Sequence, residues 1–158
     1  MKKLIVLLSF IALGLSTSFA QQGQKSIGVN LGYGSEIESF GLGAKFQYGI
    51  TDPIRLEAAF NYFFENNHVN MWDLNLNFHY LFPLGSGFKV YPLAGLTYTN
   101  WHTEIGDWDE TEGRVGANLG AGLQYDIASN LALNFDLKYQ FVKDFDQVAF
   151  AFGIAYKF

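Results

Sequence analysis

Two-residue alternation governs this chain from Lys25 to Phe158. The last segment, VAFAFGIAYKF, sets Val148, Phe150, Phe152, Ile154, Tyr156 and Phe158 on one side, and Ala149, Ala151, Gly153, Ala155 and Lys157 on the other. A period of two marks a β-strand whose faces meet different surroundings. The same period recurs near residues 25–34, 40–50, 54–65, 71–83, 88–102, 114–127, 131–142 and 148–158, with turn-type residues between the segments. Eight strands joined in sequence order are predicted.

Alternation does not say which face is inside. A secreted lipocalin-like barrel would turn the apolar residues inward, and a membrane barrel would turn them to lipid. Volume separates the two. The eight segments put 47 residues on the apolar face, none of them charged, Asn or Gln. An eight-stranded barrel has an interior only just filled by side chains, and so many Phe, Tyr, Leu and Trp do not fit there. The opposite face includes eleven glycines, at 28, 32, 34, 41, 43, 49, 95, 116, 120, 122 and 153, which suit a narrow lumen. The bulky face therefore looks outward. Aromatic residues also gather at both ends of that face, with Tyr33, Tyr62, Trp72 and Tyr139 at one rim and Tyr48, Tyr80, Tyr125 and Tyr156 at the other. Such a double girdle belongs at the two interfaces of a membrane. Strands of about eleven residues at roughly 3.4 Å each, tilted by about 40°, span the apolar band of about 25 Å. The fold expected is an all-β, eight-stranded antiparallel up-and-down transmembrane β-barrel over residues 21–158.

The first twenty residues read differently. Lys2 and Lys3 precede the apolar run LIVLLSFIALGL, and STSFA ends with Ser18 and Ala20 in a small-x-small pattern. This is the plan of a secretory signal peptide, cleaved after Ala20. Twelve apolar residues are too few to span about 30 Å of hydrocarbon as a helix. Without cysteine, neither a lipoprotein anchor nor a disulfide framework is available. Removing Lys2 and Lys3 leaves eight basic and fifteen acidic residues, a net charge of −7. That balance offers no basic patch to nucleic acid.

The connections orient the barrel. With both ends in the periplasm, the turns there are TDP (51–53), LGSG (84–87) and ASN (128–130). The outer loops are SEIES (35–39), NNHVN (66–70), EIGDWDETEG (104–113) and KDFDQ (143–147). Short turns on one side and longer loops on the other is the asymmetry of outer-membrane barrels.

On these grounds the chain resembles the small bacterial outer-membrane β-barrel family, of the OmpX and OmpA-barrel kind. The likeness is architectural over residues 22–158, and its most specific element is the last strand. The family's insertion signal, Gly-x-x-aromatic-x-aromatic, is matched by Gly153, Tyr156 and Phe158. A polar residue often stands two before that glycine, where this chain has Ala151. The resemblance implies recognition of these residues by the barrel-assembly machinery. It implies no peptidoglycan-binding domain after the barrel. Fold alone does not settle function within such a family.

Three groups of residues are candidates for function. Lys45, Arg55, Glu57, Asp73, His79, Asp136 and Lys138 face the lumen, with Lys89, Arg114, Asp126 and Lys157 nearer its ends. Buried charge in a narrow lumen must be paired, so a packed polar network is expected, and a gated ion path is the alternative. The outer loops are acidic, with Glu104, Asp107, Asp109, Glu110 and Glu112 in the longest and only Lys143 opposing the loop carboxylates. Carboxylates of this kind suit cations, or a divalent bridge to lipopolysaccharide phosphates, but DWDETEG lacks the register of a calcium loop. Finally, His102 and Glu104 stand near the outer surface, where barrel enzymes that modify lipid A place catalytic residues. A His–acid pair could act as a general base, yet no His-x-Ser pair or Gly-x-Ser-x-Gly element accompanies it.

The sequence thus predicts a non-enzymatic outer-membrane barrel with a structural or surface-interaction role. Its partners are outer-membrane lipid, lipopolysaccharide and, during insertion, the assembly machinery. No cofactor, metal or nucleic acid is expected. A lipid A-modifying enzyme and a narrow channel are the alternatives.

Overall fold

The computed structural model describes residues 22–158; the expected signal peptide, residues 1–20, lies outside them. The chain forms β1 (Lys25–Gly34), β2 (Ser39–Gly49), β3 (Ile54–Asn66), β4 (Val69–Tyr80), β5 (Phe82–Gly85), β6 (Phe88–Ile105), β7 (Trp108–Ala128), β8 (Leu131–Val142) and β9 (Gln147–Lys157). Neighbouring strands pair antiparallel in sequence order, except that β4 and β5 both pair with β6 and not with each other, and β1 pairs with β9 from Ser26↔Lys157 to Gly34↔Ala149. The sheet order β4-β3-β2-β1-β9-β8-β7-β6-β5, with β4 also paired to β6, closes the ring.

Nine segments make eight staves because β4 and β5 are two halves of one. The fourth strand, expected unbroken over 71–83, is interrupted at Leu81. The register against β6 is the same on both sides of the break, His79↔Leu93 before it and Phe82↔Val90 after it. That register sets Pro92 opposite Tyr80, and proline has no backbone N–H for the ladder. On its other edge the chain keeps the β3 register through the break, with Leu81 N–H donating to the Pro53 carbonyl at 2.7 Å.

The outer connections are shorter than expected, because the strands run on. β6 and β7 pair as far as Ile105↔Trp108, so the expected loop at 104–113 is strand apart from the turn at 106–107. Residues 108–115 of β7 pair with β6 alone, since β8 first meets β7 at Gly116↔Val142. The β6–β7 ribbon therefore rises past β8, and beyond Val69↔Thr103 it rises past β4 as well. The expected loop at 66–70 likewise shrinks to a turn at Asn67 and His68, both in the left-handed region at φ 51° and 67°. At the other rim the turns are short, and Lys25 and Phe158 exchange backbone hydrogen bonds at 2.8 and 3.2 Å.

Burial is inverted relative to a soluble protein. Asp73, Asn77, His79, Asn134 and Gln140 are at most 1% exposed, whereas Val29, Leu96 and Val115 are 61%, 61% and 72% exposed. Apolar surface on that scale is stable only against lipid. The aromatic rims form contacts of their own on this outer face, among them Tyr33 with Phe40 and Phe150, and Trp72 with Phe60 and Tyr98. Apolar residues inside the barrel are few and form two layers. Ile37, Phe63, Met71 and Trp101, with Val69 and Phe145 against them, lie toward the outer mouth. Leu81, Tyr91 and Leu93 lie toward the rim with the chain ends.

Candidate functional site

Strand alternation delivers the polar side chains to the lumen in tiers. Nearest the chain ends, Asp126 accepts from Lys89 at 2.6 Å and lies 3.0 Å from Lys157 Nζ. Gln124 donates to the same carboxylate at 2.7 Å and accepts from Arg55 at 2.6 Å.

The middle tier is built around Tyr91. Its hydroxyl donates to Asp136 at 2.5 Å, its ring stacks on His79 at 4.6 Å, and the Arg55 guanidinium lies 4.9 Å from its ring centre. Arg55 also donates to His79 Nδ1 at 3.0 Å. With Nδ1 accepting, the imidazole proton belongs on Nε2, which faces Glu57 Oε1 at 3.6 Å. Lys45 Nζ lies 3.0 Å from Asp136 and 3.6 Å from Glu57. Gln47 and Asn77 donate to the remaining sites on Glu57, at 2.7 and 3.2 Å.

Above this, Asp73 is completely buried and is served by amides. Asn61, Asn75 and Gln140 donate to it at 2.7, 2.6 and 3.1 Å. Lys138 lines the same cavity as Lys45, Glu57 and Asp136 and donates to the Asn75 carbonyl oxygen at 3.0 Å. Lys45, Arg55 and Lys138 still balance Glu57, Asp73 and Asp136 in number, so the mid-lumen is neutral overall. The cavity among these groups measures about 40 Å³, room for water but not for a solute. Arg114 stands apart at the outer mouth, bonded to Glu112 and 3.7 Å from Asp144.

Above the outer apolar layer opens a vestibule of about 390 Å³. Ile37, Val69, Trp101 and Phe145 line its floor, and Glu36, Glu38, Glu110 and Glu112 are on its walls. Of the acidic residues expected in the longest loop, Glu110 and Glu112 thus border the vestibule. Glu104 and Asp109 lie on the ribbon strands and Asp107 in its turn. Among the described residues, no three acidic or histidine side chains converge as a metal site.

His102 lies on the ribbon between two partners. Its Nε2 is 3.1 Å from Glu104 Oε1 and its Nδ1 is 3.0 Å from Thr111 Oγ1, across the β6–β7 ladder. Thr111 was not legible as a partner, because the pairing His102↔Thr111 depends on the ribbon continuing past the apolar alternation. Tyr91, Trp101 and the vestibule also escaped sequence reasoning, although alternation already puts Phe63, Met71, Tyr91 and Trp101 on the inner face.

In the closing strand, Gly153 sits opposite Asn30 of β1 and Asn134 of β8. A Cβ there would come within 2.7 Å of the Val29 carbonyl oxygen, so close approach of the backbones requires glycine. Tyr156 and Phe158 point outward, 49% and 64% exposed.

Comparison with known proteins agrees with this geometry. Outer membrane protein X of Escherichia coli K12 is 24% identical over 126 residues, covering 75% of this chain and 74% of that protein. The N-terminal β-barrel domain of Pseudomonas aeruginosa OprF superposes with a TM-score of 0.72 at 23% identity, over 87% of this chain and 98% of that one. Ail, the attachment invasion locus protein of Yersinia pestis, gives 0.65 at 18% identity, over 87% and 99%. Residues 5–158 match the outer membrane protein beta-barrel domain, and the chain belongs to that family of bacterial outer-membrane proteins.

Proposed function

We propose that this protein is a non-enzymatic integral barrel whose role, structural or in surface interaction, is exercised at its outer rim. The filled lumen carries the reading. Its charges are engaged with one another or with amides, an apolar layer lies toward each end, and the middle holds a cavity of only about 40 Å³. What is left to meet a partner is the acidic outer rim, which suits cations or a divalent bridge to lipopolysaccharide phosphate. A similar barrel, Ail, is by name an attachment invasion locus protein. Export by a signal peptide ending at Ala20, and delivery to the assembly machinery through Gly153, Tyr156 and Phe158, belong to the same reading. Protein recovered from the outer membrane should begin at Gln21; recovery from the soluble periplasm would sink the proposal.

One observation favours a second reading. His102, held between Glu104 and Thr111, has the partners of a general base and a hydroxyl. Mass spectrometry of lipid A from cells with and without the gene decides between the two. The proposal expects identical acyl and phosphate patterns. An altered pattern that His102→Ala abolishes would establish the enzyme instead.

A further inference from the structure

The outer vestibule combines features that a solvated acidic loop does not need. Its volume of about 390 Å³ lies within the range of small-ligand sites, about 300–1,000 Å³. Its floor is apolar and partly aromatic, with Trp101 and Phe145 stacked at 4.7 Å and 20°. Its walls are anionic. Glu112 is taken up by Arg114, but Glu36, Glu38 and Glu110 have no cationic partner among the described residues. The turn bearing Glu36 and Glu38 is held in place, because Asn66 donates to the carbonyls of Ile37 and Glu38 at 3.1 and 3.2 Å. One polar group within the floor is unanswered. Trp101 is 6% exposed, and its buried indole N–H has no acceptor among the described residues.

These features select among ligands. A bare divalent cation needs several oxygens in one shell; it gains nothing from an aromatic floor. A phosphate is repelled by the walls. A fully protonated polyamine satisfies the carboxylates but brings no acceptor to the indole. A ligand with a cationic head, an aliphatic stem and a carbonyl oxygen meets all three demands, and a Lys or Arg residue within a peptide is that ligand. We propose that the vestibule binds a basic peptide segment. One cationic side chain sits among Glu36, Glu38 and Glu110, its stem lies over Trp101 and Phe145, and the Trp101 ring turns to uncover its buried Nε1 to a main-chain carbonyl of the peptide. The inference rests on the reading of the outer rim as an interaction surface and gives that surface a partner class.

The test is a titration followed through the indole N–H resonances of ¹⁵N-labelled protein in lipid nanodiscs. The chain has three tryptophans, and Trp101→Phe identifies the resonance to watch. The probes are the acetylated, amidated tripeptide Arg-Ala-Arg, its Ala-Ala-Ala counterpart, and spermidine. The proposal expects a saturable shift of the Trp101 indole with Arg-Ala-Arg alone. Affinity should fall about tenfold or more in the combined Glu36→Gln, Glu38→Gln and Glu110→Gln variant, and fall again as salt is raised. An unmoved Trp101 resonance, an equal shift with spermidine, or affinity indifferent to the three substitutions would overturn it. If Asp107 or Asp144 amides move while Trp101 does not, the vestibule assignment fails and the broader surface role stands. A changed lipid A pattern removes the broader role independently.

Discussion

Lys45, Glu57 and Asp136 come from three strands, and each depends on the others for a counter-charge in a space water barely enters. Removing one partner leaves an uncompensated buried ion, which costs about 3–5 kcal/mol. Asp136→Asn strips Lys45 of its nearer carboxylate, only 3.0 Å away, and weakens the acceptor of the Tyr91 hydroxyl. Urea unfolding from lipid vesicles should register a loss of about 3 kcal/mol or more. Replacing the pair together, Lys45→Met with Asp136→Leu, should recover only part of that loss: neither new side chain carries a desolvation cost, but buried Glu57 loses Lys45 and the Tyr91 hydroxyl loses its acceptor. Gly122 tests the same tier by volume. A Cβ there would lie 2.4 Å from the Tyr91 ring and 2.6 Å from Asp136 Oδ1. Gly122→Ala should push the tyrosine off the carboxylate and cost about 1–3 kcal/mol in the same assay.

Among the strands, the boundary between faces is sharper than the boundary between strand and loop. The Leu137 side chain is 48% exposed, while its neighbours Asp136 and Lys138 line the mid-lumen cavity. Leu137→Arg should therefore cost about 2–4 kcal/mol if it lies near the bilayer midplane, measured by equilibrium unfolding against wild type. Facing was legible in the sequence because lipid and lumen impose opposite chemistry on successive residues. Strand length was not. The alternation of apolar residues stops where lipid stops, and from Thr103 to Thr111 the chain is polar or Gly except for Ile105 and Trp108, yet backbone pairing continues to Ile105↔Trp108. The break at Leu81 was hidden for another reason: it follows from Pro92, eleven residues on, and appears only once the register sets Pro92 opposite Tyr80. Individual lumen residues were legible by parity, but their partners were not. Lys138 on Asn75 and Asp73 among three amides are matters of height around a closed ring, which a one-dimensional pattern does not record.

For the molecule as a whole, the ring is closed by β1 against β9, and along the axis two apolar layers bracket the charged mid-lumen. Planar-bilayer recordings of purified protein should show no reproducible conductance steps. The paired change Met71→Ala with Trp101→Ala, which opens the outer apolar layer, should also stay silent, because Leu81, Tyr91 and Leu93 remain below it. Steps that changed with Lys45→Ala or Glu57→Ala would establish a channel. The reach of the lumen bonds has a mechanical consequence too. Lys45 on β2 meets Asp136 on β8, Arg55 on β3 meets Gln124 on β7, and Lys138 on β8 meets Asn75 on β4. Each of these joins staves three places apart around a ring of eight, so they act as spokes across a hoop. A spoked hoop keeps its circular section when squeezed, and flattening this one requires breaking several charged contacts at once. The lateral pressure of a crowded bilayer is therefore met by the polar interior rather than by the strands alone, and the wall stays stiff enough to hold a shaped mouth above it.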